Sequence, residues 1–126
     1  MPELGQRTTT NDVLQSIDLS GKVAIVTGAS GGLGAETARA LASKGAAVTI
    51  AARDLTRAPA MADQIKESTG NPNVDVGELE LDKPNSVRAF ANNYLANHTE
   101  LNLLINNAGV MACPLSRTEQ GWEMQF

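Results

Sequence analysis

A glycine-rich segment near the start of the sequence has the composition and spacing needed to bind a phosphate group. It reads Thr27-Gly-Ala-Ser-Gly-Gly-Leu-Gly34 and lies between a short β-rich run and an alanine-rich helical segment. Glycine at such a junction lets the chain turn sharply, lets backbone N–H groups approach a pyrophosphate, and lets the helix pack closely on the sheet. A bound diphosphate would also face the positive end of the helix dipole. The segment therefore predicts a dinucleotide-binding loop, although its G-x-x-x-G-x-G spacing differs from the general G-x-G-x-x-G fingerprint and a plain turn is the alternative.

The residues at the end of the second predicted strand bear on which dinucleotide would bind. In dinucleotide-binding folds, the residue that contacts the adenosine ribose lies about 20 residues after the glycine loop. A carboxylate at that position binds the ribose hydroxyls and repels a 2′-phosphate. The sequence has Ala52 and Arg53 there, with no acid at the strand end. Because a planar guanidinium favours phosphate, we predict NADP(H) as the cofactor, with a solvated loop charge as the alternative role of Arg53. NAD(H) stays open because Asp54 follows immediately, although capping a helix is the simpler role for Asp54.

The elements that must position these residues alternate regularly along the chain. Strands are predicted at 23–26, 46–51, 74–81 and 101–105. Helices are predicted at 35–44, closed by Gly45, at 54 to about 68, with Pro59 in the first turn, and at 84 to about 97. This βαβαβαβ order is typical of an α/β fold with a parallel sheet and helices on both faces. We divide the chain into an N-terminal extension, 1–20, and an incomplete NAD(P)-binding Rossmann domain, 21–126.

Two segments carry patterns that predict how a helix packs or begins. Apolar residues recur at helical spacing within 84–97, and they are Val87, Phe90, Ala91, Tyr94 and Leu95. Ser116-Arg-Thr-Glu119 has capping-box spacing and would start a helix of which only 121–126 is present. Three large apolar side chains near it are expected to pack against the sheet or against a partner subunit, and they are Trp122, Met124 and Phe126.

A second motif, Asn106-Asn-Ala-Gly109, follows the fourth predicted strand, about 80 residues after the glycine segment. With these two motifs in this order, the chain resembles the short-chain dehydrogenase/reductase family from end to end. Asp18-Leu-Ser-Gly-Lys-Val-Ala-Ile-Val-Thr-Gly28 and Leu104-Ile-Asn-Asn-Ala-Gly-Val-Met111 are similar to retinol-dehydrogenase-type and related bacterial members. The resemblance implies a partial Rossmann fold whose four parallel strands have the order 3-2-1-4 and stop before a fifth strand.

The resemblance also assigns cofactor roles to residues of both motifs. Gly28, Gly32 and Gly34 would line the pyrophosphate, with Ser30 and Leu33 in the same loop. Asn107, Ala108 and Gly109 would close the pocket beside the adenosine ribose and brace the central sheet. In the family an acid just after the third strand contacts adenine. Spacing back from Asn106 puts Glu80 at that position, with Asp82 as the reserve candidate.

The family's catalytic residues are not found in this sequence. Hydride transfer between NAD(P) and an alcohol or carbonyl would need an Asn on the fifth helix, a Ser, and a Tyr-x-x-x-Lys pair in which the tyrosine is the general acid/base. Tyr94 is the only tyrosine, and His98, not lysine, stands four residues later. We interpret Tyr94 as a packing residue and His98 as a group near a helix C-terminus, where its positive charge suits the dipole. Cys113 is interpreted as a small packing residue.

Three functions stay open at this point. The first is an NAD(P)-dependent oxidoreductase represented by its cofactor-binding half, with no catalytic residue and no activity of its own. The second is a non-catalytic module that binds a dinucleotide or associates with a partner, and the third is an inert partial gene product. Without a fifth strand, the fourth would be an apolar edge, so we expect self-association through it and marginal stability.

The composition argues against several other kinds of partner. Ten Lys and Arg against fourteen Asp and Glu give a net charge of −4, so nucleic acid is not expected to bind. One histidine and one cysteine are too few for a protein-built zinc site, and a single cysteine excludes an internal disulfide. The sequence contains no recognisable signal peptide and no apolar stretch of membrane-spanning length. We therefore expect a cytoplasmic chain with no metal and no membrane segment.

Overall fold

Four parallel strands form one sheet in the part of the chain that the computed structural model describes, residues 5–109 and 116–124. They are β1 (Val23–Thr27), β2 (Ala47–Ala52), β3 (Val74–Glu78) and β4 (Leu103–Ile105). Their order across the sheet is β3-β2-β1-β4, and Val26 in β1 lies opposite Ile50 of β2 and Ile105 of β4. The predicted α/β fold and the predicted strand order 3-2-1-4 are thereby confirmed.

Helices lie on both faces of this sheet, as predicted. They are α1 (Thr10–Val13), α2 (Gly32–Ser43), α3 (Ala58–Thr69) and α4 (Pro84–Asn97). Helices α2 and α3 pack against each other and against β1, β2 and β3. Helix α4 contacts β3 on the other face, where the buried ring of Tyr94 packs in one cluster with Ile25 of β1 and Ala51 of β2. The sheet is therefore the middle layer of three.

The two faces of the sheet follow the two-residue period of the strands. Val26, Val48 and Ile50 are fully buried on the face that α2 and α3 cover, whereas Ile25 and Ala51 belong to the opposite cluster. The two covering helices present mainly small buried side chains, which allow close approach of helix and sheet. These are Ala38, Ala42, Ala58 and Ala62, joined by Ile65. The runs of 23–26 and 46–51 were predictable as strands because both faces are apolar.

Several element ends differ from the predicted ones. Helix α2 begins at Gly32, three residues before the predicted start, and β3 ends at Glu78, three residues before the predicted end. The predicted helix cap at Asp54 is wrong, because α3 begins only at Ala58 and Arg57 is the residue that precedes it. The Asp54 carboxylate instead accepts hydrogen bonds from the backbone N–H of Thr56 at 2.9 Å and from its hydroxyl at 2.5 Å. Such a local turn competes with capping for the same carboxylate.

The predicted helix after Ser116 is also wrong for the residues that the structure describes. Residues 116–124 turn back on themselves, with an antiparallel bridge between Arg117 and Glu123. The backbone N–H of Thr118 donates to the Trp122 carbonyl at 2.8 Å, and the Thr118 hydroxyl accepts from the Trp122 N–H at 3.2 Å. Gly121, with φ of 87°, supplies the left-handed residue of the turn. A helix would need the opposite sign of φ there.

Large apolar side chains stay exposed on part of the surface. On α4 only Tyr94 is buried and Phe90 half-buried, while Val87, Ala91 and Leu95 are exposed, so the predicted apolar face is covered only in part. Trp122 is 52% exposed rather than buried against the sheet, Met124 is half-buried, and Phe126 lies outside the described residues. No helix in 5–109 or 116–124 combines the length and the apolar character needed to cross a bilayer.

Candidate functional site

The glycine segment forms the connection between β1 and α2. Gly28 and Gly32 have φ of 66° and 61°, a region that favours glycine, so the chain can reverse within four residues. Gly31 precedes α2, and no side chain caps the helix there. The first turn of α2 also contains no acidic residue. The N-terminal N–H groups and the positive end of a twelve-residue helix therefore face the loop with no carboxylate of the first turn beside them, an arrangement suited to a phosphate.

The loop packs too closely against its neighbours to accommodate side chains at two of its glycines. A Cβ on Gly28 would lie 2.9 Å from the Cα of Ala108. A Cβ on Gly34 would lie 2.6 Å from the carbonyl oxygen of Gly28 and would also collide with the amide of Asn107. Backbone cannot move away from such contacts at low cost. Gly28 is therefore required both by the turn and by the approach of the second motif, and Gly34 is required by close packing.

Hydrogen bonds join the two motifs directly, although they lie far apart in sequence. The backbone N–H of Ala108 donates to the hydroxyl of Thr27 at 2.9 Å, and the side-chain amide of Asn107 donates to the Gly28 carbonyl at 3.2 Å. The Thr27 hydroxyl donates in turn to the Ile105 carbonyl at 3.4 Å. Because Thr27 is only 4% exposed, these bonds are partly shielded from water. Thr27 thus fixes the end of β4 against the start of the glycine loop.

This junction lies where an α/β sheet offers a ligand cleft. The chain proceeds from β1 outward to β3 and then returns to the other side of β1 as β4, so the strand order reverses between β1 and β4. The loops after the carboxyl ends of two such strands diverge and leave a crevice between them. The crevice is bounded here by the glycine loop and by Asn107-Ala108-Gly109. Ser30 is half-buried in this loop, and Leu33 is 82% exposed.

Arg53 and Asp54 stand beside this loop, at the end of β2. The backbone N–H of Gly28 donates to the carbonyl of Ala51 at 2.9 Å, which holds the loop next to the strand end. Arg53 is exposed directly after β2. The hydrogen bonds from Thr56 lower the pKa of the Asp54 carboxyl, with a smaller contribution from the charge of Arg57. Asp54 is therefore ionised at neutral pH and engaged with its own turn.

The structure adds Arg57, which the sequence analysis missed, to this neighbourhood. Its Nη2 lies 2.7 Å from the point that a Cβ on Gly31 would occupy, and its Cζ lies 3.8 Å from that point. The side chain thus crosses from the start of α3 to the glycine loop. The available signal was its position, four residues after Arg53 in the same connection.

Glu80 lies after β3, where the carboxylate makes an ion pair. Its Oε2 is 3.4 Å from Nζ of Lys83, whose pKa the Glu80 carboxylate raises. The backbone N–H of Glu80 donates to the Ser86 hydroxyl at 2.9 Å. Lys83 also lies 4.0 Å from Glu119 of the 116–124 turn.

Glu80 is half-buried and lines a hollow of about 590 Å³ with Ser86, Phe90 and other residues. Asp82, the reserve candidate, is also half-buried.

Tyr94 and His98 lie away from the glycine loop and pack against each other. The Tyr94 hydroxyl donates to the Glu100 carbonyl at 3.0 Å, and the two rings stack with centroids 4.1 Å apart. Burial raises the pKa of Tyr94. Both residues line a hollow with Asp75 and Thr49, near the amino ends of the strands, whereas the loop is at the carboxyl ends. These contacts support a packing role, and Cys113 lies outside the described residues.

Comparisons with known proteins agree with this geometry. The family model described as short chain dehydrogenase matches residues 22–125. Retinol dehydrogenase 11 of Mus musculus is 46% identical over 125 residues, which cover 99% of this chain and 40% of that protein. Short-chain dehydrogenase TIC 32 B, chloroplastic, of Brassica napus is 43% identical over 122 residues, which cover 97% of this chain and 38% of that protein.

A solved structure is similar to this chain in both sequence and fold. A metagenomic short-chain oxidoreductase crystallised in complex with NADP is 42% identical, with a TM-score of 0.68. The match covers 73% of this chain and 41% of that one. The chain thus spans about two fifths of the length of the proteins it matches.

Proposed function

The chain belongs to the short-chain dehydrogenase family, and on that basis we propose that it binds the nicotinamide dinucleotide of an oxidoreductase. The reaction would be hydride transfer between the cofactor and an alcohol or a carbonyl compound. One observation carries the proposal: the glycine loop and Asn107-Ala108-Gly109 are hydrogen-bonded to each other at the strand-order reversal. The close packing there leaves no room for a side chain at Gly28 or Gly34. A loop of this kind lets backbone N–H groups approach a pyrophosphate.

Each predicted site residue has a place in this proposal. Gly28, Ser30, Gly32, Leu33 and Gly34 would surround the pyrophosphate at the start of α2, while Asn107, Ala108 and Gly109 would lie beside the ribose. Glu80 would contact adenine once its carboxylate turns from Lys83, whose ion pair with it is exposed enough to exchange with water.

We propose NADP(H) rather than NAD(H) as the preferred dinucleotide. Arg53 follows β2 at the place where this fold binds the adenosine ribose, and the carboxylate of the next residue, Asp54, accepts hydrogen bonds from Thr56. A cation without a competing acid favours a 2′-phosphate. The metagenomic relative in complex with NADP supports the same preference.

Cofactor binding and turnover depend on different residues. The 126 residues contain one tyrosine, Tyr94, and no Tyr-x-x-x-Lys pair. Tyr94 is packed against His98 and donates to a backbone carbonyl, so it is not placed to act as the family's general acid/base. We therefore expect these residues alone to bind dinucleotide without reducing a carbonyl.

The cytoplasmic location stays a prediction, and the Brassica napus relative is chloroplastic by its name.

A second candidate function is association through the edge of the sheet, and the exposure of β4 favours it. Among the described residues β4 pairs with β1 alone, and Leu104 at its centre is 53% exposed. An apolar edge strand with unpaired backbone groups is a template for another strand. This function is compatible with dinucleotide binding, because the pairing edge and the glycine loop use different atoms.

Titration of the 126-residue chain with NADPH and NADH, followed by nicotinamide fluorescence, tests the proposed function. We expect saturable binding of both, tighter for NADPH, and no oxidation of either by added aldehydes or ketones. Gly34→Ala should abolish binding, since its Cβ meets the Gly28 carbonyl oxygen at 2.6 Å. Gly5→Ala is the matched control, because no atom lies within 4 Å of its Cβ. Absence of binding by the folded wild-type chain would overturn the proposal.

A further inference from the structure

The hollow that Tyr94 and His98 line lies between α4 and the sheet, near the amino ends of β2 and β3. Its volume is about 390 Å³. Thr49 of β2 and Asp75 of β3 also line it, and they lie opposite each other in the strand register. Their side chains therefore project from the same face of the sheet, the one on which α4 packs.

Three aromatic side chains of α4 and its end form one wall of this hollow. The rings of Phe90 and Tyr94 stack with centroids 6.3 Å apart, and those of Tyr94 and His98 with centroids 4.1 Å apart. Phe90 also lies against Gly77, where a Cβ would come within 2.6 Å of its Cε2. The three rings are called the ring wall below.

The two polar side chains from the sheet have unused hydrogen-bonding capacity. Thr49 is only 6% exposed, yet its hydroxyl has no hydrogen-bond partner within 5–109 and 116–124. The exposed Asp75 carboxylate has no ion-paired or hydrogen-bonded partner in those residues either. A buried hydroxyl is normally hydrogen-bonded, so the hollow offers Thr49 to a ligand.

The charges around the hollow indicate the sign of that ligand. Asp75 is the acidic residue of the lining, and neither lysine nor arginine is among the described residues that line it. A phosphate or a carboxylate would find no cation there, whereas a primary ammonium group carries three N–H donors for the oxygens of Asp75 and Thr49. Aromatic rings nearby also attract a cation and contact an apolar body.

We propose that this hollow binds a small primary amine that carries a ring-sized apolar group. Its ammonium group lies between Asp75 and Thr49, and its apolar group packs against the ring wall. The site is separate from the glycine loop, which lies at the carboxyl ends of the strands. It therefore adds a second ligand to the proposed dinucleotide and does not depend on it.

Titration of the isotope-labelled 126-residue chain with benzylamine, an ammonium ion at neutral pH, tests the proposal by NMR. We expect saturable shifts of the amides of residues 49, 75–77 and 93–98, with a Kd on the order of 1 mM for a ligand of about eight non-hydrogen atoms. Benzyl alcohol keeps the ring without the charge and should bind about threefold more weakly or less. Benzoate, with the opposite charge, should not saturate.

Variants of the two sheet residues separate their contributions. Asp75→Asn should weaken benzylamine binding about threefold, since the exposed carboxylate is partly screened, and should remove the salt dependence of binding. Asp63→Asn is the matched control, because Asp63 is exposed on α3 at the other face of the sheet. Thr49→Val should weaken binding to a similar extent without lowering the melting temperature, as no described hydrogen bond is lost. Thr49→Ser should bind as wild type does.

The outcomes leave no overlap with the proposed function. Loss of benzylamine affinity in Asp75→Asn and Thr49→Val, with Asp63→Asn and Thr49→Ser unchanged, supports the amine site. Absence of saturable binding by the folded wild-type chain overturns it, as do equal affinities for benzylamine and benzyl alcohol or shifts confined to other residues. NADPH affinity should be the same in wild type and Asp75→Asn, so either site can fail without the other.

Discussion

Thr27 is the residue through which the two halves of the candidate site depend on each other. Its buried hydroxyl accepts from the Ala108 N–H and donates to the Ile105 carbonyl. Thr27→Val keeps the shape and removes both bonds, leaving a partly buried N–H without its acceptor. We expect a loss of about 1–3 kcal/mol in the free energy of unfolding, measured by urea denaturation, together with weaker dinucleotide binding.

Thr27→Ser is the control for this prediction, because it keeps the hydroxyl and removes only a methyl group. It should bind the dinucleotide like the wild-type chain and lose less stability than Thr27→Val. Equal stability and equal affinity in wild type and Thr27→Val would show that the hydroxyl does not hold the second motif in place.

Single residues differ in how far the sequence could place them. The glycines of the loop were predictable, because turn geometry and close backbone approach restrict the residue type there, whereas the place of Asn107 came from the family resemblance. Arg57 was not, since its side chain reaches Gly31 across the gap between two elements. The engagement of Asp54 by Thr56 was also missed, because a carboxylate before a helix can close a local turn or cap the helix, and the sequence permits both.

At the level of elements, α1 is attached to α2 by a small polar network next to the glycine loop. The Thr10 hydroxyl donates to Glu36 at 2.5 Å, Arg39 donates to Glu36 at 2.6 and 2.8 Å, and Arg39 also donates to Asn11 at 3.0 Å. These hydrogen bonds, from Arg39 first and Thr10 second, lower the pKa of Glu36 to about 2. The N-terminal segment therefore depends on an ionised Glu36.

The sign of the pH dependence follows from that shift. The folded-state pKa of Glu36 lies below its ordinary value of 4.5, so its contribution is complete above about pH 4.5. The contribution falls as the pH drops from there through about 2. Because the Glu36 side chain is 43% exposed, solvent screening limits the effect to about 1 kcal/mol or less.

The melting temperatures of wild type and Glu36→Gln, compared across pH, isolate this contribution from other carboxylates. Wild type should be the more stable by a few degrees near neutral pH, and the difference should shrink toward zero near pH 2. Amide chemical shifts of residues 9–13 should report undocking of α1 over the same interval. Glu67→Gln, which changes an exposed acid of α3, is the matched control and should not reproduce this pH course. A difference in melting temperature that is constant with pH would contradict the assignment to Glu36.

The elements were predictable where one signal dominated. The apolar runs of β1 and β2 were placed to within a residue or so at each end, because strands buried on both faces have continuous apolar sequence. The turn at 116–124 was missed because Ser116-Arg-Thr-Glu119 fits a capping box, yet Gly121 at positive φ cannot continue a helix. The apolar face of α4 was predicted from periodicity alone. Periodicity does not show how much of such a face other elements cover, and Val87 and Leu95 are exposed.

For the whole molecule, the strand order is the property on which the site depends. It places β1 between β2 and β4, so that the loop after β1 is hydrogen-bonded to Ala51 of β2 on one side and to Asn107 on the other. The alternation of strands and helices predicted a parallel sheet, and family resemblance supplied the order 3-2-1-4. The sequence did not predict which face of the sheet each helix covers or how much of β4 is exposed. Both features depend on how the described elements pack together.

That exposure predicts self-association of the 126-residue chain. Leu104 is 53% exposed at the centre of β4, and Leu101, just before the strand, is 43% exposed. We expect sedimentation velocity to detect dimers or larger species that increase with concentration. Leu104→Lys should shift the distribution toward monomer, because a charged side chain on an edge strand opposes pairing with a second edge.

Leu55→Lys is the matched control for this last prediction, since Leu55 is 44% exposed in the connection after β2, away from the β4 edge. It should associate as wild type does if the edge strand is the contact, and both variants should be checked for unchanged melting temperature. Equal association of all three proteins would assign the contact to another surface, such as the exposed Val87 and Leu95 of α4. A wild-type chain that stays monomeric and melts cooperatively would remove the edge of β4 as an association site, and would leave dinucleotide binding as the proposed function of these residues.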